Sequence, residues 1–186
     1  MKLLLHSCCG PCTVGSLPLL RAAGYDDIFG YFYNPNIHPF TEHKARRQAF
    51  AALMEAEKMP YLALKDYPLE QWLAQVASDP QQRCAYCYES RLRAAAAYGV
   101  EHGFEMYTTT LLISPYQNHE LIRSLGQDIG SELGIGFAYV DLRPGFRAGQ
   151  DAAREMGLYM QKYCGCIYSE KERYCRKKRI PREENK

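Results

Sequence analysis

The chain has 186 residues, 47% of them apolar, so it is long enough for one domain with a sizeable core and is not generally disordered. Its formal net charge at neutral pH is +2, which makes it neither strongly basic nor strongly acidic as a whole. The apolar run after the first lysine is too short for a membrane span and lacks a small-residue cleavage site. We therefore expect a cytoplasmic protein without a membrane partner.

The positive charge is concentrated at the carboxyl-terminal end. Residues 171–186 contain eight Lys or Arg and three Glu, a net charge of +5, so the rest of the chain carries −3. A basic segment on a slightly acidic body favours a polyanionic partner, although a solvated chain end can have the same composition. We predict a catalytic domain over residues 1–170 and a basic tail over residues 171–186.

Eight cysteines without a secretion signal indicate metal ligands or redox thiols rather than structural disulfides. Three of them, Cys8, Cys9 and Cys12, follow an apolar run at residues 3–5 that has the length of a buried strand. A glycine and a proline between Cys9 and Cys12 turn the chain, and a proline can open a helix. These thiols are therefore predicted on a turn between the first strand and the first helix.

Hydrophobic patterns and breaker residues predict that helices and strands alternate along the rest of the chain. The first helix is predicted to be interrupted at Pro18, and the second to be capped by Thr41. Ser114 is predicted to cap a later helix, with a proline in its first position. Four further strands are expected at residues 28–33, 61–64, 105–109 and 137–140, and further helices at 42–58, 69–76, 84–102, 115–133 and from about 148 to Tyr163.

Five strands that alternate with helices imply right-handed crossovers and a single three-layer α/β domain with a parallel five-stranded sheet. A strand order of 3-2-1-4-5 would reverse between strands 1 and 4. The cysteine turn after strand 1 would then face residues 108–110 after strand 4, at the edge where ligands bind in open α/β sheets. We expect the functional site in that crevice.

Four cysteines can supply thiolates from two loops. Cys8 and Cys9 come from the first turn, and Cys84 and Cys87 from the start of a later helix. Four thiolates suit either tetrahedral zinc or an iron–sulfur cluster. Adjacent cysteines are unusual in structural zinc sites, whereas a cubane cluster can present separate iron corners to neighbouring thiols. The spacing alone leaves zinc, a cluster and neither of them open.

The remaining cysteines allow several roles. Cys12 is either a buried helix thiol or a reserve ligand, and Cys175 is an incidental thiol of the tail. Cys164 and Cys166 could form a strained and therefore easily reduced disulfide, in which the intervening glycine relieves some strain. They could equally ligate a second metal or pack as unlinked thiols.

Two histidines and an aspartate stand at predicted loops. His6 ends the first strand and His38 lies between two prolines, and a lone histidine in such a context is more often structural than a ligand. Asp141, at the end of the fifth strand, could form an ion pair with Arg143 that fixes the loop. It could instead act as a proton donor or an oxygen ligand in the crevice.

Aromatic residues near the predicted loops suggest contacts with unpaired bases. The chain has 15 tyrosines, and those near loops could stack a base on the face of the ring. No Gly-x-Gly-x-x-Gly or Gly-Lys-Ser/Thr loop occurs, so a nucleotide phosphate cradle is not indicated. The tyrosines near loops are Tyr31, Tyr33, Tyr86, Tyr88 and Tyr116.

Six stretches together resemble the QueH family of epoxyqueuosine reductases. They occur in the expected order across residues 5–170, and their combination is highly specific although any one alone is not. The stretches are Leu-His-Ser-Cys-Cys-Gly-Pro-Cys (5–12), Tyr-Asn-Pro-Asn-Ile-His-Pro (33–39), Arg-Cys-x-x-Cys-Tyr (83–88), Thr-Thr-Leu-Leu-Ile-Ser-Pro-Tyr-Gln (109–117), Asp-Leu-Arg-Pro-Gly-Phe (141–146) and Tyr-Met-Gln-Lys-Tyr-Cys-Gly-Cys (159–166).

The resemblance implies a cytoplasmic tRNA-modifying enzyme with an adenine-nucleotide-hydrolase-like α/β fold. It implies reduction of the epoxide of epoxyqueuosine to the alkene of queuosine at the wobble position of the anticodon. It also implies a 4Fe-4S cluster, a nearby mononuclear iron and a redox-active Cys164–Cys166 pair. Nothing in the chain would hold the corrin of the cobalamin-dependent enzyme for this reaction. The implied cluster ligands are Cys8, Cys9, Cys84 and Cys87.

Removal of an epoxide oxygen takes two electrons and two protons and releases water. A cluster usually passes one electron at a time, so a dithiol beside it would be a second reservoir. An iron or Asp141 would serve as the acid for the leaving oxygen, and the basic tail would track tRNA phosphates. A zinc-stabilised RNA-binding module and a thiol–disulfide oxidoreductase are the alternatives, and the electron donor is not predicted.

Overall fold

One parallel sheet of five strands organises the molecule. The computed structural model describes residues 1–175, and its strands lie in the order β3-β2-β1-β4-β5. Both the predicted α/β class and the predicted strand order are confirmed. The strands are β1 (Lys2–His6), β2 (Asp27–Phe32), β3 (Tyr61–Ala63), β4 (Met106–Thr109) and β5 (Gly136–Phe137).

Strand β1 is central, pairing with β2 on one side and β4 on the other. Its residues Leu3, Leu4 and Leu5 are completely buried. A parallel strand covered by helices on both faces needs apolar side chains at every position rather than at alternate ones. The last pair of the ladder joins His6 to Thr109 of β4, so the chain leaves β1 beside the end of β4.

Helices connect and cover the strands, and two short 3₁₀ turns follow β4 and precede α6, at Thr110–Ile113 and Arg143–Gly145. Within residues 1–175, no helix combines the length and the apolar character needed to cross a bilayer. The helices are α1 (Gly10–Ala22), α2 (Phe40–Ala56), α3 (Leu69–Val76), α4 (Arg83–Glu101), α5 (His119–Leu133), α6 (Phe146–Glu155) and α7 (Ile167–Tyr174).

The predicted starts of two helices are wrong. Helix α2 begins one residue before Thr41, with Pro39 as its N-cap. Helix α5 begins at His119 because a turn over residues 114–118 separates it from the 3₁₀ turn after β4. Its N-cap is Asn118, whose side-chain oxygen accepts a hydrogen bond from the Leu121 N–H at 3.1 Å. Ser114 is therefore not the N-cap of α5 but the C-cap of the preceding 3₁₀ turn.

Two further helix predictions differ from the structure. Helix α1 continues without a break through Pro18, whose ring is exposed. Helix α6 ends at Glu155, where Gly157 adopts a φ of +66° that favours glycine. The chain after Gly157 runs back without regular structure, and this return places residues 161–164 beside the cysteine turn.

Helices α1 and α6 pack with their backbones in close contact. A Cβ atom added to Gly149 would lie 2.5 Å from the Cα and 2.7 Å from the nitrogen of Gly15. Only glycine at these positions allows this approach. The contact fixes the start of α6, and with it Phe146 and Gln150, beside the cysteine turn.

The predicted boundary between domain and tail falls inside α7, because this helix runs from Ile167 to Tyr174. Cys175 is exposed at its end. Residues 176–186 lie outside the described residues, and with them most of the predicted basic tail. The division at residue 170 stays a prediction.

Candidate active site at the cysteine crevice

A cavity of about 500 Å³ opens at the carboxyl ends of β1 and β4, in the predicted crevice. The cysteine turn and the 3₁₀ turn after β4 form its inner end, where Cys8 and Thr110 lie. The segment after α6 forms another wall and contributes Cys164. Residues far apart in the chain therefore meet here, as in other open α/β sheets.

Cys8, Cys9 and Cys12 form a compact group of thiols. Their Sγ atoms all lie within 4.8 Å of one another, and the Cys8 and Cys9 sulfurs are 3.8 Å apart. The spacing follows from the turn, because Cys9 is the N-cap of α1 and Cys12 lies in its first turn. Cys9 and Cys12 are buried, whereas Cys8 is partly exposed to the cavity.

The local hydrogen bonds favour negative charge on Cys8. Neighbouring Cys12 and Cys9 thiols and the Thr110 hydroxyl donate to its sulfur and hold its pKa well below the usual value. The Thr110 Oγ1 lies 3.3 Å from this sulfur and also accepts a hydrogen bond from the Cys8 N–H at 3.0 Å. The N-terminus of α1 adds favourable backbone dipoles. Burial raises the pKa of Cys9, and the contact with Cys8 raises the pKa of Cys12, so of the three thiols Cys8 is the one whose thiolate form is favoured.

His6, at the end of β1, precedes this turn as a neutral residue with both ring nitrogens hydrogen-bonded. Its Nε2–H donates to the Tyr33 carbonyl at 3.0 Å, so its Nδ1 accepts from the Thr109 hydroxyl at 2.9 Å. Burial, with the nearby Arg91 charge, lowers its pKa to about 4. Both ring nitrogens thus have protein partners, as the structural interpretation of His6 predicts.

Cys84 and Cys87 lie within the first five residues of α4, with Cys84 exposed and Cys87 buried. Within residues 1–175, neither joins a group of three potential ligand atoms as tight as that of Cys8, Cys9 and Cys12. Burial raises the pKa of Cys87 to about 12. The predicted set of four cysteines is thus divided between two helix N-termini, and the structure adds Cys12 to the first of them.

Arg91 is the residue that links these two groups. One turn after Cys87, its Nη2 donates to the Cys87 sulfur at 3.2 Å and its Nε to the Cys87 carbonyl at 2.8 Å. The guanidinium lines the cavity, is only 2% exposed, and interacts electrostatically with Cys8 and Cys164. Among the described residues, Arg91 has no carboxylate within 4 Å.

A buried cation without a carboxylate partner is costly unless other negative charge lies nearby. Here the nearest candidates are cysteine sulfurs, which carry negative charge as thiolates bound to a metal. The groups nearest to Arg91 include cysteine sulfurs and, within residues 1–175, no carboxylate within 4 Å, and such a donor set is of the kind that soft metals and iron–sulfur clusters prefer. The residues present therefore fit a metal–thiolate group.

A second buried arginine, Arg46 of α2, holds the segment that carries Cys164 and Cys166. Its Nη1 and Nη2 donate to the Cys164 and Tyr163 carbonyls, both at 2.8 Å. Its Nε donates to Glu42 at 2.7 Å, so this arginine has a charge partner. The segment is thereby tied to α2 rather than left as a free loop.

The two thiols of this segment are unlinked and differ in exposure. Cys164 is exposed at the cavity, where the Gln117 amide N–H lies 3.5 Å from its sulfur. Cys166 is buried as the N-cap of α7, its sulfur accepting from the Ser169 N–H at 3.4 Å. Gly165 between them has a φ of +150°, a conformation that favours glycine.

Asp141 and Arg143 form the predicted ion pair. Arg143 donates to both carboxylate oxygens, from Nε at 2.8 Å and from Nη2 at 2.7 Å. These hydrogen bonds lower the pKa of Asp141 to about 2, so the carboxylate carries no proton near neutral pH. The pair is exposed and Asp141 is not among the residues that line the cavity. Its role as a proton donor stays a prediction, and that role requires the Arg143 pair to open.

His38 packs against the rings of Trp72 and Tyr67 and is buried. Within the described residues, neither of its ring nitrogens has a hydrogen-bond partner. Its backbone nevertheless belongs to the site, because its N–H donates to the Gly165 carbonyl at 2.8 Å.

Sequence patterns did not identify Arg46 or Arg91 as part of the site. Arg91 follows Cys87 by four residues and therefore lies on the same face of α4, which was the available signal. Arg46 follows Glu42 by the same spacing, but this pattern is common on solvated helices. Only the tertiary structure shows that both guanidinium groups are buried beside cysteines.

The fold and the site together define an α/β protein with a cysteine-rich site at the point where the strand order reverses. Such sites carry metal-dependent or redox chemistry. The model of the family described as "Epoxyqueuosine reductase QueH" matches residues 3–172 of this chain. The chain belongs to this family, and as a member it is an oxidoreductase.

Curated relatives agree over nearly the whole chain, and three of them are each named epoxyqueuosine reductase QueH. The relative from Dehalococcoides mccartyi is 37% identical, covering 93% of this chain and 94% of its own length. That from Acinetobacter baylyi is 34% identical, covering 90% of this chain and 80% of its own. That from Thermotoga maritima is 31% identical and covers 91% of each chain.

Proposed function

We propose that this protein reduces epoxyqueuosine in tRNA to queuosine, with a 4Fe-4S cluster held by Cys8, Cys9, Cys84 and Cys87. The observation that carries the proposal is Arg91, a buried cation that lies between the two cysteine turns and has sulfurs as its partners. Family membership supports the reaction, and the sulfur-rich surroundings support the cluster. The same proposal includes a mononuclear iron near the cluster.

Reduction of the epoxide requires two electrons and two protons for each oxygen released as water. Oxidation of the Cys164 and Cys166 thiols to a disulfide yields two electrons and two protons. In the balanced reaction both C–O bonds break, an S–S bond forms, and the alkene and one water are produced. A one-electron donor then reduces the disulfide in two steps. A bound cluster would transfer these electrons singly between the donor and the cavity.

The residues around the cavity would have different roles in this reaction. Cys164 is exposed where the substrate base would enter, and Arg46 keeps its segment in place through two carbonyl contacts. Gln117 bridges Cys164 to the Tyr88 hydroxyl, which donates to the Gln117 oxygen at 2.6 Å. Asp141 would protonate the leaving oxygen only after release from Arg143.

The cluster is tested by metal analysis of anaerobically reconstituted protein. The expected result is a brown protein with about four irons per chain, as a 4Fe-4S cluster requires. Cys87→Ser should lose this iron, and Cys175→Ser, at an exposed thiol, should retain it. Cys12→Ser decides whether the third thiol of the group is a ligand, and we expect it to keep the iron. A colourless protein with one zinc would instead indicate a zinc-stabilised RNA-binding module.

The thiol pair is tested separately with Cys166→Ala. We expect this variant to retain the iron and its absorption but to lose turnover, because the disulfide can no longer form. A drop in iron content would make Cys166 a metal ligand instead. If neither iron nor turnover changes, the two thiols are only packed residues and the proposed redox role is wrong.

A further inference from the structure

Tyr116 is the most exposed of the large hydrophobic side chains at the cavity, with 85% of its surface accessible. Its exposure does not come from a loose chain end. The Tyr116 N–H donates to the Ser114 hydroxyl at 3.3 Å, and the next N–H donates to the Ser114 carbonyl at 3.3 Å. The turn over residues 114–118 therefore presents the ring outward on a backbone that is held in place.

Phe146, which also lines the cavity, packs against the ring of Tyr116. The two rings meet edge to face, with centroids 6.1 Å apart and planes 81° apart. Phe146 is held by the close packing of α6 on α1. Among the described residues, the only ring that packs against Tyr116 is that of Phe146. A rigid, flat apolar surface thus remains at the rim.

Positive charge lies along the same rim. Lys162 and Arg173 are exposed residues that line the cavity. The neighbouring carboxylate of Glu172 is paired with Arg83, so it does not pair with these two cations. An exposed aromatic ring beside cations matches the way proteins bind single-stranded nucleic acid, by stacking bases and contacting phosphates.

The cavity volume of about 500 Å³ suits one small-molecule-sized group, here a single modified nucleoside. The nucleotides on either side of it must then remain at the rim. We propose that Tyr116, supported by Phe146, stacks a base of the anticodon loop next to the nucleotide that enters the cavity. This inference rests on the proposed function, because it assumes an RNA loop as the substrate.

The inference predicts that Tyr116 contributes to binding of an unpaired loop but not of a duplex, because only an unpaired base exposes its face to an aromatic ring. The direct test is the affinity of the reconstituted protein for a fluorescent anticodon stem-loop and for an RNA duplex of equal length. Tyr116→Ala should weaken stem-loop binding by about five- to a hundredfold, as expected for one lost base–aromatic stack, and leave duplex binding unchanged. Tyr116→Phe, which keeps the ring, should bind like the unmodified protein.

Phe40→Ala provides the matched control, because Phe40 is an exposed aromatic residue that does not line the cavity. It should bind both RNAs normally. Equal affinity of Tyr116→Ala and unmodified protein for the stem-loop would overturn the inference, as would an equal loss for stem-loop and duplex. A failure of stem-loop binding by the unmodified protein would also overturn it.

Turnover separates this inference from the proposed function. With dithionite as reductant, Tyr116→Ala should raise KM for tRNA by the same factor as the binding constant while kcat changes less than twofold. The chemical reductant removes any contribution from a protein donor docked at the rim. If unmodified protein binds the stem-loop through Tyr116 but reduces no epoxyqueuosine, the stacking surface stands and the proposed reaction fails. If Tyr116→Ala is active and its KM for tRNA equals that of the unmodified protein, the stacking proposal is contradicted.

Discussion

Arg91 combines two properties that conflict in the metal-free protein, a full positive charge and almost complete burial. Among residues 1–175, its hydrogen bonds reach only the carbonyl and sulfur of Cys87. The free energy of burying such a charge is unfavourable by several kcal/mol unless nearby negative charge offsets it. Arg46 differs, because Glu42 supplies a carboxylate at 2.7 Å. The two arginines should therefore respond differently to loading with metal.

Arg91→Met tests this difference with a side chain of similar length and no charge. In metal-free protein, we expect the free energy of unfolding to stay the same or rise, by up to about 4 kcal/mol, because a buried charge without a carboxylate partner is removed. After reconstitution, the variant should hold less iron than the unmodified protein. Urea unfolding and iron analysis check the two results. Arg93→Met, at an exposed residue paired with Glu132, is the control and should keep its iron.

Residue patterns selected candidate cysteines for the site but not the groups that surround them. Cys8, Cys9, Cys84 and Cys87 could be selected because thiols are rare and their spacing is informative. An arginine on a helix is usually solvated, so its burial depends on which helices meet. The lowered pKa of Asp141 likewise depends on the rotamer of Arg143, which no sequence pattern specifies.

At the scale of elements, the site depends on how α6 packs on α1. The contact between Gly149 and Gly15 brings two backbones together without intervening side chains. Helix α1 starts at the cysteine turn and α6 starts at Phe146, so this contact sets the width of the cavity. The glycines were visible in the sequence, but their role was not, since isolated glycines in helices have no single meaning.

Gly149→Ala should destabilise the protein. The new Cβ would meet the Gly15 backbone, which cannot move aside as a flexible side chain can. Overpacking costs about 1–3 kcal/mol, against a gain of up to about 1 kcal/mol in helix propensity, so we expect a net loss of about 1–2 kcal/mol. Urea unfolding measures it. Ala148→Ser adds one atom at an exposed neighbouring position, and an equal loss there would contradict the packing argument.

At the scale of the whole molecule, strand order was predictable and strand length was not. The uninterrupted apolar run of β1 indicates a central position, and the alternation of elements implies parallel pairing. Strand β5, at the edge of the sheet beside β4, contains only Gly136 and Phe137, whereas a strand over residues 137–140 was predicted. The start of α5 was misplaced because a 3₁₀ turn and a loop can carry the same Ser-Pro signal as a helix start.

Stability of the whole molecule should depend on pH through buried histidines. Burial lowers the pKa of both His38 and His43 to about 4; for His43, Arg47 and Arg46 lower it further while Asp66 opposes them. The unfolded chain, with an ordinary pKa of about 6.5, therefore binds more protons than the folded protein at intermediate pH. The stability that the two neutral histidines contribute is fully present above about pH 6.5 and is lost as the pH falls towards 4.

The expected slope is up to about 1.4 kcal/mol per pH unit for each histidine. His43→Leu should therefore flatten the dependence of the unfolding free energy on pH between 6.5 and 4. Urea unfolding at several pH values gives this slope. Gly149→Ala, which is destabilised for another reason, should keep the slope of the unmodified protein. A His43→Leu slope that equals the unmodified one would contradict the assignment of this histidine.

The reaction itself is tested most directly by the mass of the modified nucleoside. Anaerobically reconstituted protein and dithionite are incubated with tRNA that carries epoxyqueuosine, and the tRNA is then digested to nucleosides. We predict conversion to queuosine, seen as the loss of one oxygen atom, without added corrin. Omitting the protein should leave the epoxide intact. No mass change with iron-replete, reduced protein would contradict the proposed function.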